Sequence, residues 1–212
     1  MTYTADKLTQ RNARAPKITY DEFLKRYMNG EHLEWVNGEV IAMSPVTREH
    51  EDERKFLITI IDEYVGLKLL GAVSCEPYNM KIGYGLPGRS PDILFVANAN
   101  LARMHNEYLD GPADLAIEII SPGTRRIDRV TKFGEYEQSG VREYWILDPK
   151  RRESNFYLRD NQGKYQPVLP GLPGDDGIYH STVLPGFWLE IGWLWQRPLP
   201  MLTQVLRAWG MI

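Results

Sequence analysis

Hydrophobic and polar positions in the N-terminal part of the chain alternate with two different periods. Residues Ile18–Met28 have the apolar spacing of a short helix, with Thr19 as a suitable N-cap. In LEWVNGEVIAM, Asn37-Gly38 separates two alternating runs, which is the strongest short-range signal of a β-hairpin. The next stretch, SPVTREHEDERKFLITIIDEYVGLKLL, repeats apolar residues at helical spacing and offers Ser44 or Thr47 as its cap. This part therefore predicts helix, hairpin and long helix.

The remainder of the chain predicts one central sheet with helices around it. Four strands are predicted in SCEPYNMKIGY, PDILFV, DLAIEII and VREYWILD, with a helix from about Thr124 to Ser139 that ends at Gly140. SNFYLRDNQGKYQPVL predicts a hairpin, FWLEIGWLW an apolar edge or closing segment, and PMLTQVLRAW a final helix. The order predicts a mixed α/β (α+β) fold. We expect residues 1–16 to form a flexible arm and residues 17–212 a single domain.

The composition is that of a soluble globular protein, with 43% hydrophobic and 25% charged residues among 212. A net charge of -3 gives no general sign of nucleic-acid binding, although residues 125–152 hold eight bases and five acids. Cys75 is the only cysteine, so no intrachain disulfide can form, which suits a reducing cytoplasm. No stretch has the apolar content of a signal peptide or a membrane span. We expect a cytoplasmic protein without a membrane partner.

One carboxylate interrupts the predicted strand DLAIEII. Glu118 lies among apolar residues, and a buried carboxylate is costly unless it meets a positive partner. Because strand side chains alternate, Glu118 shares its face with Ala116 and Ile120. Asp92 opens the preceding strand directly after Pro91. Two carboxylates at neighbouring strand ends supply the oxygen ligands that Mg²⁺ prefers, so they form a candidate metal site.

The helical segment after Glu118 offers the positive partners. At about 100° per residue, its charged and apolar residues fall on different sides. One side holds Arg125, Asp128, Arg129, Lys132 and Tyr136, and the other holds Ile127, Val130 and Phe133. We expect the apolar side to pack and Lys132 to point back at the corner formed by Asp92 and Glu118.

The ordered set of motifs has a family resemblance. PDILFV, AIEIISPGT and DRVTKFGEYEQSGVREYWILDP, preceded by LEWVNGEVIAMSPVTREH, resemble the Uma-two family of restriction-endonuclease-like proteins, a branch of the PD-(D/E)XK nuclease superfamily. The resemblance is close from Leu33 to Pro149 and looser in the C-terminal strands. It implies a restriction-endonuclease-like core, a mixed central sheet flanked by helices, with an extra N-terminal hairpin and C-terminal strands.

The resemblance also implies a set of site residues. Asp92 and Glu118 would hold Mg²⁺ or Mn²⁺ as a catalytic pair. The superfamily lysine normally stands two residues after the second acid, where this chain has Ile120. The matching lysine of this family lies in the next helix, at Lys132, and His50 matches a family position near the site. The implied activity is metal-assisted hydrolysis of phosphodiester bonds in DNA.

Phosphate contacts for this activity would come from Arg125 and Arg129, together with Arg126. A non-catalytic binding or assembly module that keeps the nuclease fold is the alternative, favoured by the pI of 5.9 and by Ile120. A hydrolase acting on another phosphorylated substrate is a third possibility. Each residue also has a simpler interpretation: Asp92 closes a turn, Glu118 pairs with a structural arginine, and Lys132 is a surface lysine.

Aromatic residues near the C-terminus suggest self-association. Phe187, Trp188, Trp193, Leu194 and Trp195 fall within nine residues. In a strand, Trp193 and Trp195 would share one face and Leu194 would take the other. These rings are candidates for a homodimer interface, since aromatic residues are enriched there. The alternative is that they cover the second face of the chain's own sheet.

Overall fold

The computed structural model describes residues 16–27, 33–42, 46–83, 85–170 and 177–212. The predicted arm lies outside these residues except for Pro16, and so does Ser44, the first of the two proposed caps of the long helix. The α-helices are α1 Tyr20–Tyr27, α2 Arg48–Lys68, α3 Phe133–Ser139, α4 Ile191–Trp195 and α5 Leu202–Ala208. A 3₁₀-helix spans Asn98–Arg103, and a π-helix at Ile127–Lys132 runs directly into α3. No helix within the described ranges is long and apolar enough to cross a lipid bilayer.

The strands form three sheets. They are β1 Leu33–Val36, β2 Glu39–Ala42, β3 Gly71–Cys75, β4 Asn79–Lys81, β5 Gly88–Arg89, β6 Ile93–Ala97, β7 Tyr108–Asp110, β8 Leu115–Ile119, β9 Glu143–Asp148, β10 Glu153–Arg159, β11 Tyr165–Val168, β12 Ile178–His180 and β13 Trp188–Glu190. The central sheet has the order β11-β10-β9-β8-β6-β3, and a five-stranded sheet has the order β2-β1-β5-β4-β7. Strands β12 and β13 pair with each other. The mixed α/β class with helices beside mixed sheets is thus confirmed.

Local turn chemistry builds the N-terminal hairpin as predicted. Asn37 and Gly38 both have positive φ, 52° and 89°, which is the backbone of a type I′ turn between two twisted strands. Strands β1 and β2 pair from Val36↔Glu39 outward to Leu33↔Ala42. The hairpin joins the rest of its sheet where Trp35 pairs with Gly88 of β5. It thereby brings β1 beside Arg89, which becomes important for the site.

The two faces of β8 belong to two different hydrophobic clusters. Leu115, Ile117 and Ile119 lie in the cluster shared with α2 and the C-terminal segment. Ala116 and Ile120 lie in the cluster on the other side of the sheet. This division matches the alternation expected from the sequence and places Glu118 on the second face. Strand β8 is antiparallel to β6 and parallel to β9. The start of β6 and the end of β9 therefore lie at the same edge of the sheet as the end of β8.

Helix α2 packs along the first face and carries one end into the site. Thr47 is its N-cap, with its hydroxyl oxygen accepting a hydrogen bond from the His50 backbone N–H at 3.2 Å. Its buried stripe includes Leu57, Ile60 and Ile61, none of them exposed to solvent. The last turns reach the C-terminal segment, where the Tyr64 ring meets Phe187 edge-on at 5.2 Å. The helix therefore connects the C-terminal aromatic cluster with the polar edge of the central sheet.

Two segments of the chain have a secondary structure different from the one predicted from the sequence. SCEPYNMKIGY forms two short strands, β3 and β4, because Pro77 cannot donate to a sheet and a turn occupies positions 76 and 77. The closing segment forms β13 followed by α4, because the ladder with β12 ends at Glu190 and the chain turns into a helix. The prediction that Trp193 and Trp195 share a strand face is therefore wrong.

The C-terminal rings mostly cover the chain's own sheet. Phe187 and Leu194 are fully buried, Trp193 is 9% exposed, and Trp188 and Trp195 are partly buried against the same cluster. This arrangement agrees with the alternative that these residues cover the chain's own sheet, and the face that they cover is the one shared with α2.

A buried carboxylate fastens this segment to the sheet. Glu143, at the start of β9, accepts hydrogen bonds from Trp145 Nε1 at 2.7 Å and the Tyr179 hydroxyl at 2.9 Å. Its second oxygen accepts from the Ser181 and Thr182 hydroxyls and from the backbone N–H groups of Thr182 and Val183, at 2.9 to 3.2 Å. Neutral donors alone thus satisfy this carboxylate, and no ion pair reaches Glu143 from any described residue.

Candidate active site

Asp92 and Glu118 lie opposite each other on neighbouring strands. The antiparallel register Ile93↔Ile117 continues by one step to this pair. The Ile119 backbone N–H donates to Asp92 Oδ2 at 2.6 Å, which fixes the carboxylate against the end of β8. Both carboxylates line one small cavity of about 20 Å³, enough for a water molecule or a small ion. Directly opposed like charges repel each other, so this pair needs a cation nearby.

Lys132 reaches this corner and is almost completely buried. Its Nζ lies 2.9 Å from Glu118 Oε1 and 3.4 Å from an oxygen of each of Glu34 and Asp128. The side chain is only 1% exposed and lines the same cavity. The interpretation of Lys132 as a solvated surface lysine is therefore wrong. The ammonium group is the positive partner that Glu118 was expected to require.

The π-helix turns its charged side inward. Asp128 and Lys132 are buried, whereas Ile127 is 41% exposed and Val130 is 64% exposed. The expectation that both apolar residues pack is wrong, because the ion pairs with Glu118 and Glu34 hold the polar side against the sheet. Of the predicted apolar side, Phe133 alone packs, against the cluster on the second face.

The first turn of α2 adds His50 to the corner. His50 Nε2 lies 3.1 Å from Asp92 Oδ1, and the side chain is 3% exposed. Nδ1 is buried and has no hydrogen-bond partner among the described residues, with Glu51 Oε1 at 3.6 Å. Burial alone would depress the pKa of His50, but the hydrogen bond and charge of Asp92 outweigh it, and the pKa is raised. His50 therefore holds Asp92 in place and carries a positive charge more readily than an ordinary histidine.

Two residues of the site were not predicted from the sequence. Glu34, on β1, contacts Lys132 and accepts from Arg89 NH1 at 2.6 Å. Arg89 also makes a two-pronged contact with Glu135, at 2.7 and 2.8 Å. The only sequence signal was a second charge set into an apolar strand, in LEWV, which repeats the pattern that singled out Glu118. The hairpin thus anchors the lysine from the side opposite Glu118.

Burial and mutual repulsion disturb the titration of this cluster. Burial, together with the nearby Asp128 and Asp92 carboxylates, raises the pKa of Glu118 well above its usual range despite Lys132. Burial likewise raises the pKa of Asp128. Burial opposes the charge of Lys132, but the Glu118, Glu34 and Asp128 carboxylates outweigh it and raise its pKa well above normal. Lys132 is therefore an ammonium ion at neutral pH.

The cluster contains more acids than bases. Among the described residues, five carboxylates line the cavity or pair with the bases beside it, and three basic side chains, Lys132, Arg89 and His50, pair with them, while Glu51 near His50 is paired with Arg54. The carboxylates belong to Glu34, Asp92, Glu118, Asp128 and Glu135. The acids therefore outnumber the bases, and the raised pKa values of Glu118 and Asp128 are in keeping with this; a divalent cation in the cavity would favour their ionised forms.

The residues fit a cation held in part by water. Asp92 and Glu118 offer carboxylate oxygens into the cavity, and the buried Asp128 Oδ1 has an ion pair with Lys132 at 3.4 Å but no hydrogen bond among the described residues. Within the described part of the chain, the side chains of Asp, Glu, His and Cys do not form any group of three or more that is arranged to bind a metal ion by itself. Mg²⁺ is commonly bound through one or two carboxylates and keeps several waters, so the donor set suits it.

Two of the three arginines predicted to contact phosphate, Arg125 and Arg129, lie beside the cavity but are engaged by acids. Arg125 pairs with Asp148 at 2.7 Å and with Glu153 at 3.2 Å. Arg129 pairs with Glu153 at 2.8 Å and donates to Asn155 Oδ1 at 2.8 Å. Thr124, one residue before Arg125, lines the cavity itself. The structure therefore brings Asp92, Glu118, Lys132 and His50 together. The two arginines lie beside the cavity but do not line it.

Comparisons with known proteins identify a family and a similar fold. A family model described as "Uma2: Putative restriction endonuclease" matches residues 20–192. Among solved structures, the chain is similar to one described as a putative nuclease belonging to DUF820 from Anabaena variabilis. That similarity has a TM-score of 0.66 and 20% sequence identity, and it covers 84% of this chain and 97% of the other. It shows a shared fold. No curated protein matches the chain.

Proposed function

The chain belongs to the Uma2 family of restriction-endonuclease-like proteins, and from that membership and the acidic corner we propose a metal-dependent nuclease that hydrolyses phosphodiester bonds in DNA. The observation that carries the proposal is the cluster around Lys132, in which acidic groups outnumber basic ones and Asp92 and Glu118 face one cavity. A site built for stability alone would gain nothing from such an excess, since buried unpaired charge is costly.

Asp92 and Glu118 would hold the cation, Mg²⁺ or Mn²⁺, from opposite strands. When bound, the cation supplies charge stabilisation at the phosphoryl oxygens and lowers the pKa of a water molecule. His50 keeps Asp92 oriented through its Nε2 contact at 3.1 Å, and the Ile119 N–H holds the other oxygen. The carboxylate is thus fixed before any substrate arrives, which is the preorganisation that such sites need.

Lys132 would act as a charged hydrogen-bond donor. Because its pKa is raised by three carboxylates, its ammonium group keeps its proton at neutral pH and is unsuited to remove one from water. It can orient a water molecule or stabilise negative charge on the phosphoryl group. Tyr136 donates to Glu118 Oε1 at 2.7 Å, so the oxygen that faces Lys132 is doubly held.

Calorimetry with Mg²⁺ and Mn²⁺ tests the metal site. We expect binding to the wild type, strong weakening in Asp92→Asn and Glu118→Gln, and no change in Glu53→Gln, which removes a buried carboxylate elsewhere on α2. Hydrolysis of a DNA fragment should require the metal and disappear in the first two variants. Unchanged metal affinity in both would refute the assignment of these two ligands.

A second candidate is a module that keeps the fold for binding or assembly. The observation in its favour is the burial of the site residues, since Lys132, Glu118 and Asp92 are each less than a tenth exposed. If calorimetry detects no divalent cation and no DNA or other phosphorylated substrate is hydrolysed, this candidate is the better one.

We further propose that the chain works in the cytoplasm. We also propose that it forms a homodimer, because cutting both strands of a duplex takes two sites. Trp188 and Trp195 remain partly exposed and are the rings still available for contact. Light scattering coupled to gel filtration tests association directly. A mass near the 24.5 kDa of one chain at micromolar concentration would exclude a stable dimer.

A further inference from the structure

Two loops meet at the edge of the central sheet that holds the site. Strands β8 and β9 are parallel neighbours, so the loops that follow them leave from the same edge. The loop after β8 lines the cavity through Ser121 and Thr124. The turn after β9 spans positions 149–152 and is closed by the Arg151 N–H, which donates to the Asp148 backbone oxygen and to its carboxylate.

Ion pairs join these two loops and neutralise the acidic side chains between them. Arg125 contacts Asp148 and Glu153, and Arg129 contacts Glu153. Asp148 is 2% exposed, so its charge is withdrawn from solvent and largely cancelled by Arg125. The inner layer of this edge is therefore close to neutral, and its arginines serve to hold the two loops together.

An outer layer of four bases has no such compensation. We call Arg126, Lys150, Arg151 and Arg152 the basic rim. All four are exposed, and no side-chain hydrogen bond or ion pair connects them to any other residue within the described ranges. On a chain with a net charge of -3, four uncompensated bases at one edge make a local positive field.

The basic rim lies within reach of the cavity. Arg126 is two residues beyond Thr124, so their Cα atoms are at most about 7 to 8 Å apart. Lys150 is two residues beyond Asp148, which contacts Arg125 at 2.7 Å. A strand of nucleic acid whose scissile phosphate entered the cavity would therefore carry its neighbouring phosphates across the rim.

We propose that the basic rim binds the phosphate backbone of the DNA substrate on one side of the scissile bond. The proposal rests on the nuclease function and adds a docking surface to it. The rim residues would bind the charge of the phosphates and would not distinguish one base sequence from another. Of the phosphate contacts predicted from the sequence, the proposal keeps Arg126 and replaces Arg125 and Arg129 with the rim residues of the turn after β9. Arg125 and Arg129 hold the loops, and the rim residues outside them meet the ligand.

DNA binding measured in EDTA tests the rim separately from the chemistry. Fluorescence anisotropy of a labelled duplex is followed against salt concentration for the wild type and for Arg126→Gln/Lys150→Gln/Arg151→Gln. Arg152 is left unchanged because its backbone has a φ of 55°, in the left-handed region. The control, Lys25→Gln/Lys68→Gln/Arg207→Gln, removes the same charge from exposed positions on α1, α2 and α5.

The rim variant should lose binding by at least about tenfold at moderate salt and flatten the slope of log K against log salt by about 2 to 3, while the control matches the wild type. Where Mg²⁺-dependent cleavage occurs, the rim variant should raise KM and leave kcat. Equal binding and slope in the rim variant and the wild type would overturn the proposal, and so would a wild type that does not bind DNA at low salt. Rim-dependent binding without any cleavage would keep the rim and reject the nuclease function.

Discussion

Two buried carboxylates on neighbouring strands, Glu118 and Glu143, stand at opposite ends of the β8–β9 pair and meet opposite surroundings. Six hydrogen bonds from neutral groups surround Glu143, and no described cation pairs with it. Glu118 shares one lysine with Glu34 and Asp128 and faces Asp92 across the ladder. The satisfied carboxylate fastens the fold, and the one in acid excess leaves room for a cation. Burial of a carboxylate is common to both, and the surplus of acids around Glu118 is what supports the proposal of a cation site there.

The largest expected effect is at Glu143. Glu143→Gln keeps the shape but offers one acceptor oxygen where the donors need two, so several buried donors lose their partner. We expect the free energy of unfolding to fall by about 4 kcal/mol. Urea denaturation measures this change, and a loss below about 1 kcal/mol would mean that the C-terminal segment does not depend on this carboxylate.

The second effect concerns Lys132. Lys132→Met fills the same space but leaves three carboxylates without their ammonium group, which should cost about 3 kcal/mol at pH 7 in EDTA. The cost should shrink towards pH 5, because protonation then relieves the repulsion in the folded variant. Hydrolysis should be almost completely lost. A variant as stable as the wild type at both pH values would show that the cluster does not need its lysine.

Glu118→Gln should change stability in the opposite direction from Glu143→Gln. The folded-state pKa of Glu118 is raised, so the wild type loses stability as pH rises above about 4.5, the ordinary value, and the glutamine variant does not. At pH 7 without metal, we expect the variant to be more stable by about 2 kcal/mol. Thermal denaturation in EDTA shows the sign. Destabilisation of both variants would remove the distinction between the two carboxylates.

The smallest expected effect is at Glu53, a buried carboxylate of α2 outside both regions. Burial raises its pKa to about 7, against the hydrogen bond from Arg197 at 3.0 Å. Between about pH 4.5 and 7 the folded wild type binds more protons than the unfolded chain, so its stability falls as pH rises. Glu53→Gln should therefore be more stable by about 1 kcal/mol at pH 8 and equal to the wild type near pH 4.5. An advantage that does not change with pH would contradict this assignment.

Features coded by neighbouring residues could be predicted from the sequence. Asn37-Gly38 forms its hairpin turn, Thr47 caps α2, and Gly140 ends α3 with a φ of 97°. Each depends on one turn or one helix end, where a few residues decide the backbone. The pairing of Glu118 with Lys132 was also accessible, since a strand and the helix that follows it lie close together.

Features that depend on distant segments could not be predicted. Glu34 and Arg89 complete the cluster because two separate strands pair in one sheet, and no local pattern records that pairing. The exposure of Val130 has the same origin, because ion pairs across the sheet decided which side of the helix faces inward. The helical form of Trp193 follows from where the ladder with β12 stops.

The π-helix at Ile127–Lys132 is a segment in which the insertion or deletion of a residue would disturb the site. A π-helical stretch accommodates an extra residue within a helix, and here it begins directly after Arg126 and ends at the buried Lys132. Deleting one codon within it would rotate Asp128 and everything before it by about 100° relative to Lys132 and Tyr136. Asp128 would leave Lys132, and Arg125 would leave Asp148. Insertions and deletions should therefore be tolerated in the exposed turns of the chain long before they are tolerated in these six residues.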